Sequence, residues 1–154
     1  MADGKLTREE LLSRKMVGTH VTESPLTGYK KVWCHCPHPK YGFMKGNDAI
    51  AKVEIPTGST IIRPRGNNMD YPNVPNNKLR ADQMKVTCLS TIDGKQLGDD
   101  CECASLWTPI FKYKNGEMHY PNEFDRNVQK DCSNGLHFFI DIESAKSFNL
   151  WCNN

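Results

Sequence analysis

The sequence predicts an α+β fold, in which a mostly antiparallel sheet of five or six short strands carries a short helix near each end. Three observations predict it. Apolar and polar residues alternate in short stretches, tight-turn pairs such as Asp93-Gly94 and Asn115-Gly116 follow several of them, and helical patterns occur only near the two ends. The pattern is compatible with an open sheet and with a small barrel.

The helix near the N-terminus begins with a capping box. In Thr7-Arg8-Glu9-Glu10, Thr7 is the N-cap and Glu10 reaches back from the third helical position. The pattern continues to Met16, and the helix is expected to end by Gly18. Near the C-terminus Asp141 is the predicted cap of a second helix, whose apolar face repeats every three to four residues at Ile142, Ala145, Phe148 and Trp151 or Cys152.

The strands are predicted from alternation at period two and from β-branched or aromatic residues. The clearest strand is 49–56, and the stretch 60–62 after the Pro-Thr-Gly turn is its predicted hairpin partner. The other predicted strands are 29–34, 85–92, 105–107, 110–113 and 136–140.

A chain of 154 residues suits a single domain spanning residues 1–154. Within it, residues 1–24 are predicted to be a helical lead-in. Residues 64–78, rich in proline and asparagine, are predicted to form a long loop.

Composition narrows the classes of function. With 20 basic and 18 acidic residues the net charge is +2, which is low for a general nucleic-acid coat. No apolar stretch approaches the roughly 20 residues that span a bilayer, and no secretory signal opens the chain, so we expect an intracellular protein with no membrane partner. The seven cysteines are then expected to be free thiols in a reducing compartment, several of them buried.

Two Cys-x-Cys pairs, Cys34/Cys36 and Cys101/Cys103, are the strongest candidate for metal binding. Zinc takes four soft ligands in a tetrahedron, and two pairs from distant parts of a chain can supply them. One intervening residue is fewer than structural zinc sites commonly use. We therefore expect a turn at Pro37 or in 98–101 to bring the sulfurs to one ion, and buried free thiols without metal are the alternative.

Other candidate binding residues carry weaker patterns. Arg63 and Arg65 flank a proline and are candidates to hold phosphate of a nucleic acid, with a solvated loop edge as the alternative. His137 is a further candidate binding residue, although a histidine on an apolar strand is commonly part of the core. Cys132 near His137 lacks the signature of a cysteine hydrolase. The aromatic residues Trp33, Tyr41, Phe43 and Tyr71 lie on or near the irregular parts of the chain, and they suggest either a ligand-facing surface or plugs at the ends of the sheet.

Four motifs follow one another in the last third of the chain: Phe111-Lys112-Tyr113-Lys114-Asn115-Gly116-Glu117, Phe124-Asp125, Cys132-Ser133-Asn134-Gly135-Leu136-His137-Phe138-Phe139 and Glu143-Ser144-Ala145. This layout resembles an uncharacterised domain of phages and large DNA viruses, sometimes attached to pentapeptide repeats. The resemblance extends loosely over residues 49–150, and it departs at Leu79, where that family often has cysteine. It implies a viral or phage-like origin, in host cytoplasm or virion, and a compact domain without a known activity.

A second resemblance is to ADP-ribosyltransferases. The segments 135–139 and 144–148 look like the Gly-Ile-Tyr-Phe strand and the Lys-Ser helix of those enzymes. It implies an NAD-using transferase in a permuted arrangement, with His20 lining a nicotinamide pocket. The catalytic glutamate of those enzymes lies on a strand beyond this helix, and the sequence to Asn154 contains no such strand.

Three functions therefore remain. The leading prediction is a non-enzymatic interaction or structural protein of viral type that acts through a protein partner or self-association. The alternatives are a zinc-stabilised binding module that contacts nucleic acid, and a divergent ADP-ribosyltransferase-like enzyme.

Overall fold

Two helices and ten strands make up the part of the chain that the computed structural model describes, which is residues 5–13, 16–37, 47–65, 78–106, 111–130 and 133–147. The helices are α1 (Arg8–Ser13) and α2 (Ile142–Ser147). The strands are β1 (Gly18–Val21), β2 (Leu26–His35), β3 (Asn47–Ile55), β4 (Thr60–Arg63), β5 (Leu79–Ala81), β6 (Met84–Thr91), β7 (Glu102–Ser105), β8 (Lys112–Tyr113), β9 (Met118–His119) and β10 (Leu136–Phe138).

These strands form two antiparallel sheets. One sheet has the order β8-β7-β2-β3-β6-β9, and the other has the order β1-β4-β5-β10. The predicted α+β class and the antiparallel pairing are confirmed. The strands are divided between two sheets, with six in the larger one.

The six-stranded sheet curls until its two edge strands meet. The rings of Tyr113 on β8 and His119 on β9 lie 5.2 Å apart, centroid to centroid. The backbone N–H of Lys114 donates to Nε2 of His119 at 3.3 Å. The larger sheet is therefore rolled rather than flat. The sequence left open whether the sheet is open or a small barrel, and the contact between the two edge strands favours the barrel-like form.

Strand β10 and the residue after it join the two sheets. Leu136, His137 and Phe138 pair with β5 in the smaller sheet. The next residue, Phe139, exchanges two backbone hydrogen bonds of 2.7 Å with Tyr29 in the middle of β2. Gly28 makes this crossing possible, because a Cβ atom there would lie 2.5 Å from the Phe138 ring.

The main core lies between the sheets. It takes the buried alternate positions of β2 and β3 together with apolar residues of β4, β5, β6 and β10. A smaller cluster lies on the outer face of β2 and β3, where Ile142 and Ala145 of α2 pack with Ile50, Tyr29 and Phe139. Burial of these faces is the main favourable contribution to folding.

Both predicted helix caps are confirmed. Thr7 Oγ1 accepts from the backbone N–H of Glu10 at 3.1 Å, while Glu10 Oε1 accepts from that of Thr7 at 2.9 Å. Asp141 accepts from the backbone N–H of Ser144 at 3.0 Å.

The predicted hairpin between 49–56 and 60–62 is wrong. After the turn at Gly58, β4 leaves the sheet that holds β3 and pairs with β1 and β5 in the other sheet. Strands β1, β5 and β9 were not predicted. Residues 66–77 of the predicted loop and residues 148–152 of the predicted helix lie outside the described part of the chain.

Candidate functional site

The four cysteines predicted as metal ligands come together between β2 and the adjacent strand β7. The antiparallel register places Cys34 opposite Cys103. These two residues are joined by a disulfide, and a second disulfide joins Cys36 to Cys101. The two bonds lie side by side across the strand pair, and we refer to them as the disulfide ladder.

The ladder corrects the expected local geometry. No turn is needed, because residues two apart in a strand project from the same face. Cys34, Cys36 and Cys103 are all buried on the core side of the sheet, and Cys101 is partly exposed. The expectation of free thiols does not hold for these four residues, whereas Cys88 is free.

A cavity of about 540 Å³ opens beside the ladder. Cys101 and Cys103 form part of its wall, so one end of the ladder is accessible from the cavity. Four carboxylates and two lysines contribute to its lining, which gives it an excess of negative charge. These charged residues are Asp99, Asp100, Glu102, Glu117, Lys112 and Lys114.

The opposite face of the same strands carries an exposed tryptophan. Trp33 lies on β2, an inner strand of the sheet, with 47% of its surface exposed. Its neighbours in register are Asp48 on β3 and Ala104 on β7, and Ala104 is in turn opposite Lys112 on β8. Residues opposite one another in antiparallel strands share a face. The row Asp48–Trp33–Ala104–Lys112, which we call the tryptophan row, therefore crosses four strands.

The next row along the strands carries a second pair of opposite polarity. His35 is opposite Glu102, and both side chains are exposed. On the other side of the tryptophan row, Lys31 forms an ion pair with Asp48 at 3.4 Å and donates to the backbone carbonyl of Lys146 at 3.1 Å. Trp33 thus has a polar rim, an arrangement typical of an anchor residue at a protein interface.

The two arginines predicted to hold phosphate occupy different environments. Arg63 is fully buried, and its Nη2 donates to the backbone carbonyl of Leu11 at 2.8 Å. Arg65 is exposed and donates from Nε to Gln129 Oε1 at 2.9 Å. The structure does not bring the two guanidinium groups to one exposed surface, so the nucleic-acid prediction gains no support from their geometry.

The two predicted histidines are buried on different strands. His137 lies on β10 opposite Arg80, and His20 lies on β1 with its Nδ1 at 2.8 Å from the Leu6 carbonyl oxygen. Strands β1 and β10 are the opposite edges of the smaller sheet. The structure therefore does not bring His20 and His137 together.

Sequence reasoning missed three buried cationic residues among those that the structure describes, namely Lys30, Lys78 and Arg80. Arg80 donates to the backbone carbonyls of Asp125, Asn127 and Lys130 at 2.7–2.8 Å. Lys30 donates to the carbonyl of His137 at 2.8 Å and lies 5.5 Å from the centre of the Tyr113 ring. Burial, together with the nearby charge of Lys78, lowers the pKa of Lys30 to about 7. The sequence contains a signal for such residues: in a strand with alternating polarity, the cation falls on the side that is otherwise apolar and buried.

Over the described residues, no group of three or more His, Cys, Asp or Glu side chains is placed to hold a metal ion in the disulfide-bonded chain. Cys132, considered above as a nucleophile, lies outside the described residues. In the same described part of the chain, the helices are too short and too polar to cross a membrane.

Comparison with known proteins identifies relatives but no activity. Residues 18–145 match the model of a family of unknown function, DUF5758. Over 148 residues the chain is 30% identical to an uncharacterised protein of Acanthamoeba polyphaga mimivirus, with 89% of this chain and 92% of the viral protein covered. No solved structure matches the chain.

Proposed function

Because the chain belongs to DUF5758, a viral-type family whose function is unknown, we propose from its structure that it is a non-enzymatic protein acting through protein contacts, with a second copy of itself as partner. The exposed Trp33 on the outer face of β2, an inner strand of the larger sheet, is the observation that carries this proposal. Tryptophan is strongly enriched among residues that dominate interface energies. The action is assigned to the host cell or the virus particle.

The tryptophan row is self-complementary under a twofold rotation. If the axis runs along the strands between β2 and β7, each β2 faces the partner subunit's β7 and each β3 faces the partner subunit's β8. Trp33 then lies over the position of the partner subunit's Ala104. In each chain only 7% of the surface of Ala104 is exposed, so the contact there is shallow. Asp48 lies against the partner subunit's Lys112, at both ends of the contact.

The neighbouring row obeys the same symmetry. The rotation places His35 against the partner subunit's Glu102, so a second pair of complementary side chains meets on each side of the axis. At a strand spacing of about 4.8 Å, the tryptophan row spans roughly 14 Å. Helix α2 packs on the same outer face beside Lys31, so the proposed contact is confined to the part of the face next to that helix. The charges therefore fit a closed dimer rather than an open chain of copies.

A charge-exchange experiment tests this dimer. Sedimentation velocity over a concentration series should show the wild-type chain as a dimer, and Trp33→Ala should weaken the association by about 30-fold or more, the usual effect of losing an interface anchor. Asp48→Lys and Lys112→Asp should each be monomeric alone, because like charges then meet at both ends. Mixing these two variants should restore a dimer, because every facing pair is again of opposite charge.

Tyr120→Ala is the matched control. Tyr120 is more exposed than Trp33, at 60%, but follows the edge strand β9 and lies outside the tryptophan row. Its removal should leave the dimer unchanged. A wild-type chain that is monomeric at every concentration, or a mixture of the two charge variants that stays monomeric, overturns the proposal.

A further inference from the structure

We infer that the four sulfurs of the disulfide ladder form a zinc site when they are reduced, so that the same residues hold two disulfides in one redox state and one metal ion in the other. The four sulfurs take no part in the proposed dimer contact, because the ladder faces the core and Trp33 faces outward. Glu102 and Lys112 belong both to the cavity wall and to the outer rows, so zinc uptake is measured separately from association. The ligands are Cys34, Cys36, Cys101 and Cys103.

The strand register places the Cα atoms of the four ladder cysteines at the corners of a small rectangle. Across the strands the Cα atoms are 4.0 Å apart in the Cys34–Cys103 pair and 4.2 Å apart in the Cys36–Cys101 pair. Along each strand, Cα atoms two residues apart are separated by about 6.7 Å. The four sulfurs project from the same face, so the centre of the rectangle is equidistant from all of them.

A tetrathiolate zinc site above this rectangle requires the sulfurs to move. A Zn–S bond of about 2.3 Å in a tetrahedron places the sulfurs about 3.8 Å apart. After reduction, the two sulfurs of each former bond separate across the strands, and sulfurs of neighbouring pairs lean toward each other. Rotation about the Cα–Cβ bonds achieves both movements, while the β2–β7 backbone pairing is kept.

The cavity provides a path for both the reductant and the metal. Cys101 is the partly exposed member of the ladder and lies in the cavity wall, where an incoming thiolate can attack it. The carboxylates of Asp99, Asp100 and Glu102 line the same cavity and favour entry of a divalent cation. The buried Cys34–Cys103 bond can then be reached by exchange from the freed thiol of Cys36.

The chemistry balances with a small-molecule thiol as reductant. Each disulfide takes two electrons and two protons from two thiol molecules, which leave as one disulfide of their own, and yields two cysteine thiols. Zn²⁺ then binds four thiolates and four protons are released to solvent. The small-molecule disulfide reverses these steps. It takes two electrons and two protons from each cysteine pair, leaves as two thiols, and the zinc ion is released.

Native mass spectrometry of the full chain tests the inference with Zn²⁺ itself. The protein reduced under anaerobic conditions should take up one zinc ion per chain, and the disulfide-bonded protein should take up none. Cys36→Ser/Cys101→Ser should lose the zinc while keeping the fold. Its remaining cysteine pair, Cys34 and Cys103, can still be oxidised, and circular dichroism of the oxidised variant checks that it is folded.

A matched variant distinguishes the ladder from the other cysteines. Cys88→Ser/Cys132→Ser/Cys152→Ser removes the three cysteines outside the ladder and should bind one zinc ion when reduced. Co²⁺ in place of zinc should give the intense thiolate-to-cobalt absorption of a tetrahedral four-sulfur site in this variant. The inference is overturned if the reduced wild-type chain binds no zinc, or if the triple variant loses the ion while the Cys36/Cys101 variant retains it.

Discussion

At the scale of the residue, buried cations hold irregular backbone in place. Arg80 is fully buried, yet each of its three guanidinium nitrogens donates to a backbone carbonyl between residues 125 and 130. This segment has no regular secondary structure. The planar guanidinium serves three acceptors from one fixed position, which no other side chain can reproduce. Arg80 therefore orders a loop that has few backbone hydrogen bonds of its own.

Replacing Arg80 with methionine should lower the free energy of unfolding by roughly 3 to 5 kcal/mol, because three carbonyls lose charge-assisted hydrogen bonds. Urea unfolding followed by fluorescence measures the change. Arg65→Met is the control, since Arg65 is exposed and makes a surface hydrogen bond, and its cost should stay within about 0.5 kcal/mol. Equal costs for the two variants would show that Arg80 does not organise the loop.

The lowered pKa of Lys30 predicts that the free energy of unfolding depends on pH. Burial lowers its pKa from 10.5 to about 7 in the folded chain, so between these values the unfolded chain binds a proton that the folded chain does not. Stability contributed by Lys30 therefore rises with pH above 7, by at most about 1.4 kcal/mol per pH unit. Above pH 10 a tyrosine in the unfolded chain ionises, whereas burial raises the pKa of Tyr113 and keeps it neutral in the folded chain. Tyr113 then lowers stability as pH rises, so the Lys30 effect is measured below pH 10.

The comparison of wild type with Lys30→Met from pH 7 to pH 10 isolates this effect. Other groups titrate in both proteins and cancel in the difference. The free-energy difference should shift in favour of the wild-type chain as pH rises. A difference that is constant with pH would show that Lys30 keeps its ordinary pKa in the folded protein.

At the scale of the element, the two bonds of the disulfide ladder act as one constraint. They join the same strands and close loops of 69 and 65 residues, one nested inside the other. Once either bond is formed, the second restricts only the few residues between the two. Their contributions to stability are therefore expected to be strongly non-additive.

A double-mutant cycle measures this coupling. Removing one bond, by Cys34→Ala/Cys103→Ala or by Cys36→Ala/Cys101→Ala, should cost about 2 kcal/mol of unfolding free energy under oxidising conditions, whereas removing both should cost about 6 kcal/mol, from the chain entropy of the closed loops. Urea unfolding of the four proteins gives the values. Additive costs would contradict the nested arrangement.

The elements also show what could be predicted from sequence. Strands β2, β3 and β6 and both helix caps follow from local signals, namely alternation, turn pairs and capping residues. Strand β5 was missed because Leu-Arg-Ala is short and centres on a buried Arg80, and β1 was missed because it follows a helical pattern directly. The four ladder cysteines were identified by type and spacing. Their pairing, like the neighbours of Trp33, depends on a register between distant strands that no local pattern encodes.

At the scale of the whole molecule, stability is expected to be greatest at the centre of the larger sheet. β3 pairs along most of its length with β2 on one side and β6 on the other, and three of its residues are fully buried core alanine or valine. Its amide protons should exchange most slowly in native-state hydrogen exchange, and those of the two-residue edge strands β8 and β9 fastest among the strands described. Faster exchange in β3 than in β9 would contradict this order.

The crossing of β10 over β2 has a consequence for folding during synthesis. Tyr29 and Lys30 must await partners at residues 137 and 139, more than a hundred residues later in the chain. A ribosome that adds about 5–20 residues per second therefore leaves β2 without its crossing strand for roughly 5 to 20 seconds. The contact between the two sheets therefore forms late in synthesis, and pairings so distant in sequence also form slowly. Throughout that interval the nascent chain leaves Gly28 and Tyr29 without Phe138 and Phe139, which later pack and pair there, so this stretch of β2 is the segment that a chaperone is expected to bind.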